Sequence, residues 1–396
     1  MTALRAKKNV AVLAVCQALF TAATSILTAT GGLVGYRLAA DKSLATLPVT
    51  AVVVGIAVAT IPASLLMGRV GRRAGFVVGA LIGATGGGLA SFALYVGSFP
   101  VFSLGTMLVG MFVAFGQYYR FAAADVAGQG FKGKAISLVL AGGVVAGFVG
   151  PELAKWSKDL VGDTRFLGTY VVVVALGLVS AVLVMAVDIP RPPASVRRAR
   201  GRPIWRIMCR PTFVVAALNG MVGYGVMSLV MTATPLAMVA SRYPFDDAAT
   251  VIQWHVVAMF APAFVTGSLI DRFGVLKVML SGAAAITGGL GFALSGQGLG
   301  HYWAALVLLG LGWNFMFIGG TTLLTETYEP AERAKTQAAN DFLVFAAVAS
   351  ASLSSGQILY RFGWEAVNLG ALPFLALAIG ATLWLALQRR AAGQAV

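Results

Sequence analysis

The sequence predicts an all-α integral membrane protein in which about twelve transmembrane helices form two similar halves. Hydrophobic residues make up 59% of the 396 residues and charged residues only 11%, whereas soluble domains contain about 25% charged residues. The apolar residues form long runs separated by short basic loops, and a segment rich in proline and arginine divides the runs into two sets. Because the runs are long and do not alternate with polar residues, they indicate helices rather than barrel strands.

The apolar runs set the predicted spans, because a helix needs about 20 apolar residues to cross the hydrocarbon core. The predicted spans are residues 10–36, 44–67, 75–97, 100–123, 135–155, 166–187, 211–239, 249–270, 275–297, 301–324, 336–360 and 364–387. The predicted organisation is a first six-helix half (1–187), a cytoplasmic linker (188–210) and a second six-helix half (211–396). The run that begins at Val10 is too long for the apolar core of a signal peptide, so we interpret it as the first span.

The net charge of +15 would suggest a nucleic-acid partner in a soluble protein, but here the basic residues concentrate on the loops of one side. That side contains Arg5, Lys7, Lys8, Arg69, Arg72, Arg73, Lys132, Lys134, the arginines from Arg191 to Arg210, Arg272, Lys277, Arg333, Lys335, Arg389 and Arg390. By the positive-inside rule these loops are cytoplasmic. The sequence therefore predicts a multi-pass protein of the inner membrane with both termini in the cytoplasm, and no nucleic-acid partner.

Two loops repeat one short motif, at Ser64–Arg73 after the second span and at Gly267–Lys277 after the eighth. Both resemble the loop motif of the major facilitator superfamily, Gly-x-x-x-Asp-Arg-x-Gly-Arg-Arg, at its place in each half. The matching residues are Arg69, Gly71, Arg72 and Arg73 in the first copy and Gly267, Asp271, Arg272 and Gly274 in the second. The resemblance implies a twelve-span fold and alternating access, in which two halves rock about a central substrate site.

The first copy of the motif departs from the family at two positions, with Ser64 in place of glycine and Gly68 in place of aspartate. In the family that aspartate contributes to a charged cluster that holds the cytoplasmic side closed, so the departure puts this cluster in doubt for the first half. A second segment, Gly147-Phe148-Val149-Gly150-Pro151-Glu152, is similar to part of the glycine-proline motif of members that export drugs by proton antiport. The Gly-Gly that follows this motif is missing here.

The residues expected to contact substrate follow from the family resemblance, because spans 1, 4, 7 and 10 line its central cavity. On span 1, Gln17, Thr21 and Thr24 recur at three- and four-residue spacing, which places them on one helical face. The predicted substrate-binding residues are Gln17, Thr21, Thr24, Gln117, Tyr118, Arg120, Asn219, Tyr224, Trp313 and Asn314. The alternative to substrate contact is different for the two kinds of side chain. A hydroxyl can instead form a hydrogen bond to its own backbone or to a neighbouring helix, and an aromatic ring can instead take part in ordinary packing.

Few ionisable residues lie within the spans. A charge near the end of span 4, such as Arg120, costs about 2.5 to 3.5 kcal/mol on insertion scales unless it faces a partner, a cavity or water. We predict that Arg120 pairs across the halves with Glu326 or Asp341; a pair within the first half and snorkelling to the interface stay open. Asp341 is the first candidate for a proton carrier and Glu326 the second, while Asp125 and His255 complete the predicted coupling and gating set.

No motif of an enzyme is present: the sequence lacks a phosphate loop, a His-Glu-x-x-His motif and a nucleophile elbow. We predict a secondary active transporter, with no cofactor and no metal site, that moves a small organic solute by proton-coupled efflux. An uptake symporter or an uncoupled facilitator of an organic anion or zwitterion is the first alternative, and a transporter-like receptor or assembly factor is a remote one. The predicted partners are the solute, the lipid bilayer and, if the cycle is coupled, protons; the predicted state is a monomer.

Overall fold

The structure is a computed structural model that describes residues 3–126, 132–162, 164–189, 202–329 and 332–391, and within these ranges it contains helices and no strand. In chain order the helices are α1 (Ala3–Leu38), α2 (Leu47–Val70), α3 (Arg72–Val96), α4 (Phe99–Gly116), α5 (Tyr119–Val126), α6 (Lys132–Ser157), α7 (Leu167–Met185), α8 (Ile204–Met208), α9 (Pro211–Ala240), α10 (Phe245–Phe260), α11 (Ala263–Phe273), α12 (Val275–Ser295), α13 (Leu299–Thr325), α14 (Arg333–Leu369) and α15 (Leu372–Ala391).

Nine helical segments of the described chain are long and apolar enough to cross a membrane, and the bent pair α10 and α11 makes a tenth. One of the nine, Lys335–Ala391, is 57 residues long and holds two helices that are separated at Gly363, where the backbone leaves the helical region (φ 83, ψ −177). Helix α6 has 26 residues and provides a further crossing. The predicted all-α fold with about twelve spans is confirmed.

Two spans predicted as single helices are interrupted. Span 4 consists of α4 and α5, which are separated at Gln117 and Tyr118. Span 8 consists of α10 and α11, which meet at an angle of 42°. The division into two halves and a linker stays a prediction, and residues 190–201 of the linker lie outside the described residues.

The glycine that ends each loop motif has the same backbone conformation in both halves. Gly71 lies between α2 and α3 with φ 93 and ψ 155, and Gly274 lies between α11 and α12 with φ 88 and ψ 150. Residues with a side chain rarely adopt such positive φ values, so glycine is needed for this reversal of the chain. Each glycine amide also donates to the last turn of the helix before it, to Met67 at 3.0 Å and to Ile270 at 2.9 Å.

The other motif residues surround these two turns. Arg69 ends α2 and is exposed, while Arg72 and Arg73 begin α3. In the second half Gly267, Asp271 and Arg272 lie on α11, with the Arg272 guanidinium 5.3 Å from the ring centre of Phe273. All of these residues lie at the end of the bundle where α1 begins, α15 ends and the described end of the linker (202–210) lies, which we name the linker face. The opposite end is named the loop face.

The two halves join at the loop face. Thr46 and Thr50 of the α2 region donate hydrogen bonds to Ser352 of α14, to its carbonyl at 3.0 Å and to its hydroxyl at 3.1 Å. Lys155 of α6 donates to Thr250 of α10 at 2.8 Å. Nearby, Lys158 forms a salt bridge with Asp246, and the rings of Phe166 and Phe245 are 5.1 Å apart. These hydrogen bonds, the salt bridge and the ring contact hold the two halves together at the loop face.

At the linker face, the end of the linker is fixed to the loop between α13 and α14. The guanidinium of Arg202 makes two hydrogen bonds to the buried carboxylate of Glu332, at 2.8 Å and 2.6 Å, and the Arg202 amide adds a third at 2.6 Å. Arg210 donates to the Thr327 carbonyl at 3.1 Å. These hydrogen bonds lower the pKa of Glu332 to about 2. The linker is thereby anchored to the segment that joins spans 10 and 11.

The substitution Glu332→Gln is expected to lower the melting temperature of the detergent-solubilised protein by about 2 to 4 °C at pH 7.5, because a bidentate charge-assisted pair is lost. The folded-state pKa of Glu332 lies below its ordinary value of 4.5, so its stabilisation is complete above that value and is lost as the pH falls toward 2. The difference from the parent protein should therefore shrink in acid. Glu329→Gln, at an exposed neighbour, is the control, and equal melting temperatures at pH 7.5 would contradict the prediction.

Candidate functional site

Five aromatic side chains from four helices form a cluster in the second half. Trp313 and Phe317 of α13 stack in parallel, with ring centres 5.0 Å apart and planes 10° apart. Tyr224 of α9 packs edge-on against both, at 5.3 Å and 5.5 Å. Phe260 of α10 lies 6.1 Å from Trp313, and Phe345 of α14 lies 5.9 Å from Tyr224. We name these residues the aromatic cluster.

The aromatic cluster lies where the two halves meet. Phe260 and Phe345 also pack against a hydrophobic core formed mainly by the first half. Phe317 and Phe345 pack against a small cluster that joins Val53 of α2 to Val344 and Val348 of α14. Four of the five rings are only half-buried, whereas Trp313 is 6% exposed. Aromatic rings that are packed on one side and accessible on the other suit the recognition of a flat apolar ligand.

One polar atom of the cluster has no hydrogen-bond partner. The indole nitrogen of Trp313 is buried, and within the described residues no acceptor lies in range of it. Buried indole N–H groups usually have a partner, and leaving such a donor unsatisfied costs about 1 to 3 kcal/mol. A ligand carbonyl or ring nitrogen in the plane of this N–H group would remove that cost.

Some side chains of the predicted polar face of span 1 form hydrogen bonds within their own helix. The Thr24 hydroxyl donates to the Phe20 carbonyl at 2.9 Å, as mid-helix threonines often do. The Gln17 amide lies 3.5 Å from the Thr21 hydroxyl, and both side chains are buried. On span 4, the Tyr118 hydroxyl donates to the Thr60 carbonyl of α2 at 3.2 Å. The roles predicted for Gln17, Thr21 and Thr24 in substrate binding stay predictions.

Arg120 and Asp341 attract each other across the two halves, Arg120 from α5 and Asp341 from α14. Asp341 also accepts a hydrogen bond from Asn340 at 3.2 Å. Because Asp341 and Phe345 are one turn apart on α14, they share a face of the helix. Asp341 therefore lies next to Phe345 of the aromatic cluster, on its linker-face side, and its pairing with Arg120 stays a prediction.

The other predicted acidic residues have different surroundings. Glu326, at the end of α13, pairs within its own half with Arg389 of α15 at 2.6 Å. Asp125 lies on α5, and its side chain is outside the described part of the structure. Gln117 lies half-buried at the break between α4 and α5. The roles predicted for these three residues stay predictions.

Two further predicted residues are buried inside the second half. The Asn219 amide donates to the Val215 carbonyl and to the Thr382 hydroxyl, both at 2.9 Å, and so ties α9 to α15. His255 is completely buried and its Nδ1 lies 2.7 Å from the Leu306 carbonyl. Because a carbonyl only accepts hydrogen bonds, Nδ1 must carry the proton in this tautomer. Asn219 and His255 therefore both form hydrogen bonds between helices, which was the alternative to the predicted roles in substrate binding and coupling.

Sequence reasoning missed three members of the aromatic cluster: Phe260, Phe317 and Phe345. Phe317 follows Trp313 by one helical turn, so the shared face of these two rings is visible in the sequence. Phe260 and Phe345 lie on spans 8 and 11, which the family resemblance does not place at the cavity. Only the packing of four helices brings their rings to Trp313 and Tyr224.

Residues 13–317 and 245–395 match the family profile of the Major Facilitator Superfamily. The chain belongs to this superfamily. It is similar to the riboflavin transporter RfnT of Brucella anthropi, with 42% identity over 376 residues that cover 94% of each chain. It is also similar to YddS of Bacillus subtilis, an MFS-type transporter, with 26% identity over 89% of this chain and 85% of that one.

Solved structures of the superfamily have the same fold. A bacterial homologue of the human lysosomal transporter Spinster, in an inward-facing and unoccupied conformation, matches with a TM-score of 0.69 over 96% of this chain and 97% of its own. The nucleoside transporter NupG matches with a TM-score of 0.70 over 95% and 99%. Both are 15% identical in sequence. The protein is therefore a multi-pass secondary transporter of this superfamily, as the two loop motifs predicted.

Proposed function

We propose that this protein transports a flavin or a closely related planar aromatic solute by alternating access. The aromatic cluster between the two halves is the observation on which the proposal rests. The similarity to a riboflavin transporter over nearly the whole chain supports it. The linker face is proposed to be cytoplasmic, because the basic loops lie there.

The chemistry of a flavin suits the cluster. Its fused ring system is flat, and stacking of such a ring on an aromatic side chain is worth about 1 to 3 kcal/mol. The ring edge has carbonyl and nitrogen acceptors, and the indole N–H of Trp313 has no acceptor of its own among the described residues. The hydroxylated chain of riboflavin is uncharged, and Gln17 and Thr21 offer amide and hydroxyl groups to it. In this proposal Trp313 provides both a stacking surface and a hydrogen bond.

Trp313→Phe is expected to weaken riboflavin binding about tenfold, because the ring remains and one hydrogen bond is lost. Trp313→Ala should weaken binding by about a further tenfold as stacking is lost as well. Quenching of flavin fluorescence on titration with the purified protein measures both affinities. Trp205→Phe, at an exposed residue of α8, is the matched control and should bind like the parent protein.

Competition separates ring recognition from recognition of the hydroxylated chain. Lumiflavin, which has the flavin ring with a methyl group in place of the ribityl chain, should displace riboflavin from the parent protein, and ribitol should not. Displacement by ribitol alone would contradict stacking as the basis of recognition. Failure of the parent protein to bind any flavin would overturn the proposed substrate.

The direction of transport and its coupling to protons are also part of the proposal. The partial glycine-proline motif supports efflux in exchange for protons, whereas the acid-free first span and the altered first loop motif support uptake or facilitation. Proteoliposomes loaded at two pH values distinguish these cycles. Antiport accumulates external riboflavin when the interior is acidic, symport does so when the exterior is acidic, and a facilitator accumulates it in neither case.

A further inference from the structure

Span 8 is broken beside the aromatic cluster. Helix α10 ends at Phe260 and α11 begins at Ala263, with an angle of 42° between them. Pro262 lies at the break, and because it has no amide hydrogen it cannot make the usual helical hydrogen bond. Proline does not account for the break alone, however, since α2, α6 and α9 each contain an internal proline and continue past it.

Asn314 of α13 makes a hydrogen bond to each side of the break. Its amide nitrogen donates to the Met259 carbonyl before the break at 2.6 Å. Its amide oxygen accepts at 2.6 Å from the Thr266 hydroxyl after the break, which shares its one proton with the Pro262 carbonyl at 2.8 Å. The Asn314 and Thr266 side chains are buried, with 1% and 0% exposure. The Met259 carbonyl can only accept, so these contacts fix the orientation of the amide. Asn314 therefore provides a donor at a point where the helix has lost regular bonding.

The residues next to these contacts belong to the aromatic cluster. Trp313 precedes Asn314 on α13, and Phe260 follows Met259 at the end of α10. The rings of Trp313 and Phe260 are 6.1 Å apart. A ligand that changes the distance between these two rings must therefore act on the peptide groups that Asn314 connects.

The two parts of span 8 share α13 as a neighbour but differ in their other contacts. Helix α10 packs against α13 and also against α6 of the first half, where Lys155 bonds to Thr250 at the loop face. Helix α11 packs against α12 and α13 of its own half and ends at the loop motif with Asp271 and Arg272. A change in the angle at the break would thus move the linker-face part of the span relative to the part held against the first half.

The corresponding positions of α2 and α4 in the first half carry different residues. When the two halves are aligned in sequence so that Arg69 matches Arg272, Ala59 corresponds to Pro262 and Ala63 corresponds to Thr266. When Asp125 is aligned with Glu326, Val113 corresponds to Asn314. Consistently, α2 runs without a break from Leu47 to Val70. The break of span 8 is therefore not repeated in α2, whose backbone the structure describes throughout.

We propose that Asn314 and Thr266 are positioning residues that link occupancy of the aromatic cluster to the angle between α10 and α11. When a flavin contacts Trp313 and Phe260, the angle changes and the linker-face end of span 8 moves. The inference rests on the proposed function, because it needs a substrate at the aromatic cluster. It also assigns Asn314 a role other than direct contact with substrate, since both ends of its amide are already bonded.

The test measures the angle with and without riboflavin. Spin labels are attached at Asp247→Cys on α10 and Ser268→Cys on α11, with Cys16 and Cys209 replaced by alanine, and their separation is measured by double electron–electron resonance. Riboflavin should shift the distance in this parent protein. Thr266→Val keeps the size of the side chain but removes the hydroxyl, so it should bind riboflavin normally and lose the shift. Its maximal transport rate should fall about tenfold, a usual size for coupling between a site and a conformational change.

Two further variants complete the test. Thr266→Ser restores the hydroxyl and should restore the shift, and Thr266→Ala replaces the valine variant if that protein does not fold. Thr382→Val is the matched control, because it removes a buried threonine hydroxyl that bonds to Asn219 at 2.9 Å in the same half, away from the break; its shift should equal that of the parent.

The outcomes separate the two proposals. A parent protein that binds riboflavin without a shift, or a Thr266→Val protein that binds and shifts like the parent, would overturn the inference and leave the proposed function intact. A parent protein that binds no flavin would overturn the proposed substrate and the inference with it.

Discussion

The substitution Asp341→Asn is expected to abolish riboflavin accumulation driven by a pH gradient while leaving riboflavin exchange measurable. Asparagine has the shape of aspartate but cannot release a proton, so only a proton-coupled step is removed. Asp341 shares a helical face with Phe345 of the aromatic cluster and is attracted by Arg120 of the other half. Its charge is therefore placed where both substrate and the contact between the halves would respond to it.

The measurement compares two assays on the same proteoliposomes: accumulation under an imposed pH gradient, and counterflow of labelled riboflavin without one. Glu326→Gln is the control, since that carboxylate pairs with Arg389 within the second half. Gradient-driven accumulation by Asp341→Asn at the parent rate would exclude Asp341 as the proton carrier. If Glu326→Gln alone lost accumulation, the proton carrier would be Glu326.

The substitution Arg120→Ala is expected to impair transport strongly and to favour the state that is open at the linker face. Removing one member of a buried ion pair costs about 3 to 5 kcal/mol, because the partner charge stays behind without compensation. Arg120 and Asp341 are half-buried residues of different halves, so we expect a smaller cost of the same sign, and we expect it to fall on the state closed at the linker face, in which the two charges are proposed to pair. Accessibility of Ser268→Cys to a membrane-impermeant thiol reagent from the linker face, in a background without the native cysteines, should increase in the variant.

Exchanging the two charges tests whether this pairing is direct. The double variant Arg120→Asp with Asp341→Arg should recover part of the transport that Arg120→Ala loses, whereas each single reversal should remain impaired. The exchange of Glu326 and Arg389, a pair inside one half, is the control and should leave accessibility unchanged. Normal transport by Arg120→Gln together with no recovery by the exchange would indicate that Arg120 only extends to the membrane interface.

The helical fold and its repeat could be predicted from the sequence because the membrane leaves few alternatives. Backbone groups in lipid must bond within their own segment, so a long apolar run is a helix whatever lies beside it. The turns after the loop motifs could also be anticipated, because Gly71 and Gly274 occupy a backbone conformation that the local sequence requires. These features depend on residues close to one another in the chain.

The interruption of span 8 depends on a distant residue and could not be predicted. Pro262 is visible in the sequence, but Pro62, Pro151 and Pro235 are equally visible and lie within continuous helices. What distinguishes Pro262 is Asn314, which comes from another helix and bonds to both sides of the break. Sequence alone shows the residue that weakens the helix and not the residue that stabilises its broken form.

The difference between local and distant contacts also explains which parts of the candidate site could be predicted from the sequence. The apolar runs and the residues within them were enough to place polar and aromatic residues in spans 1, 4, 7 and 10, and to show that an arginine near the end of span 4 needs a partner. Helix packing was needed to show that Asn219 and Asn314 bond to threonines of neighbouring helices, and that Tyr224 and Trp313 join rings from spans 8 and 11. A polar or aromatic side chain bonds or packs with whichever group lies nearest in space, and helix packing brings together groups that are far apart in the chain.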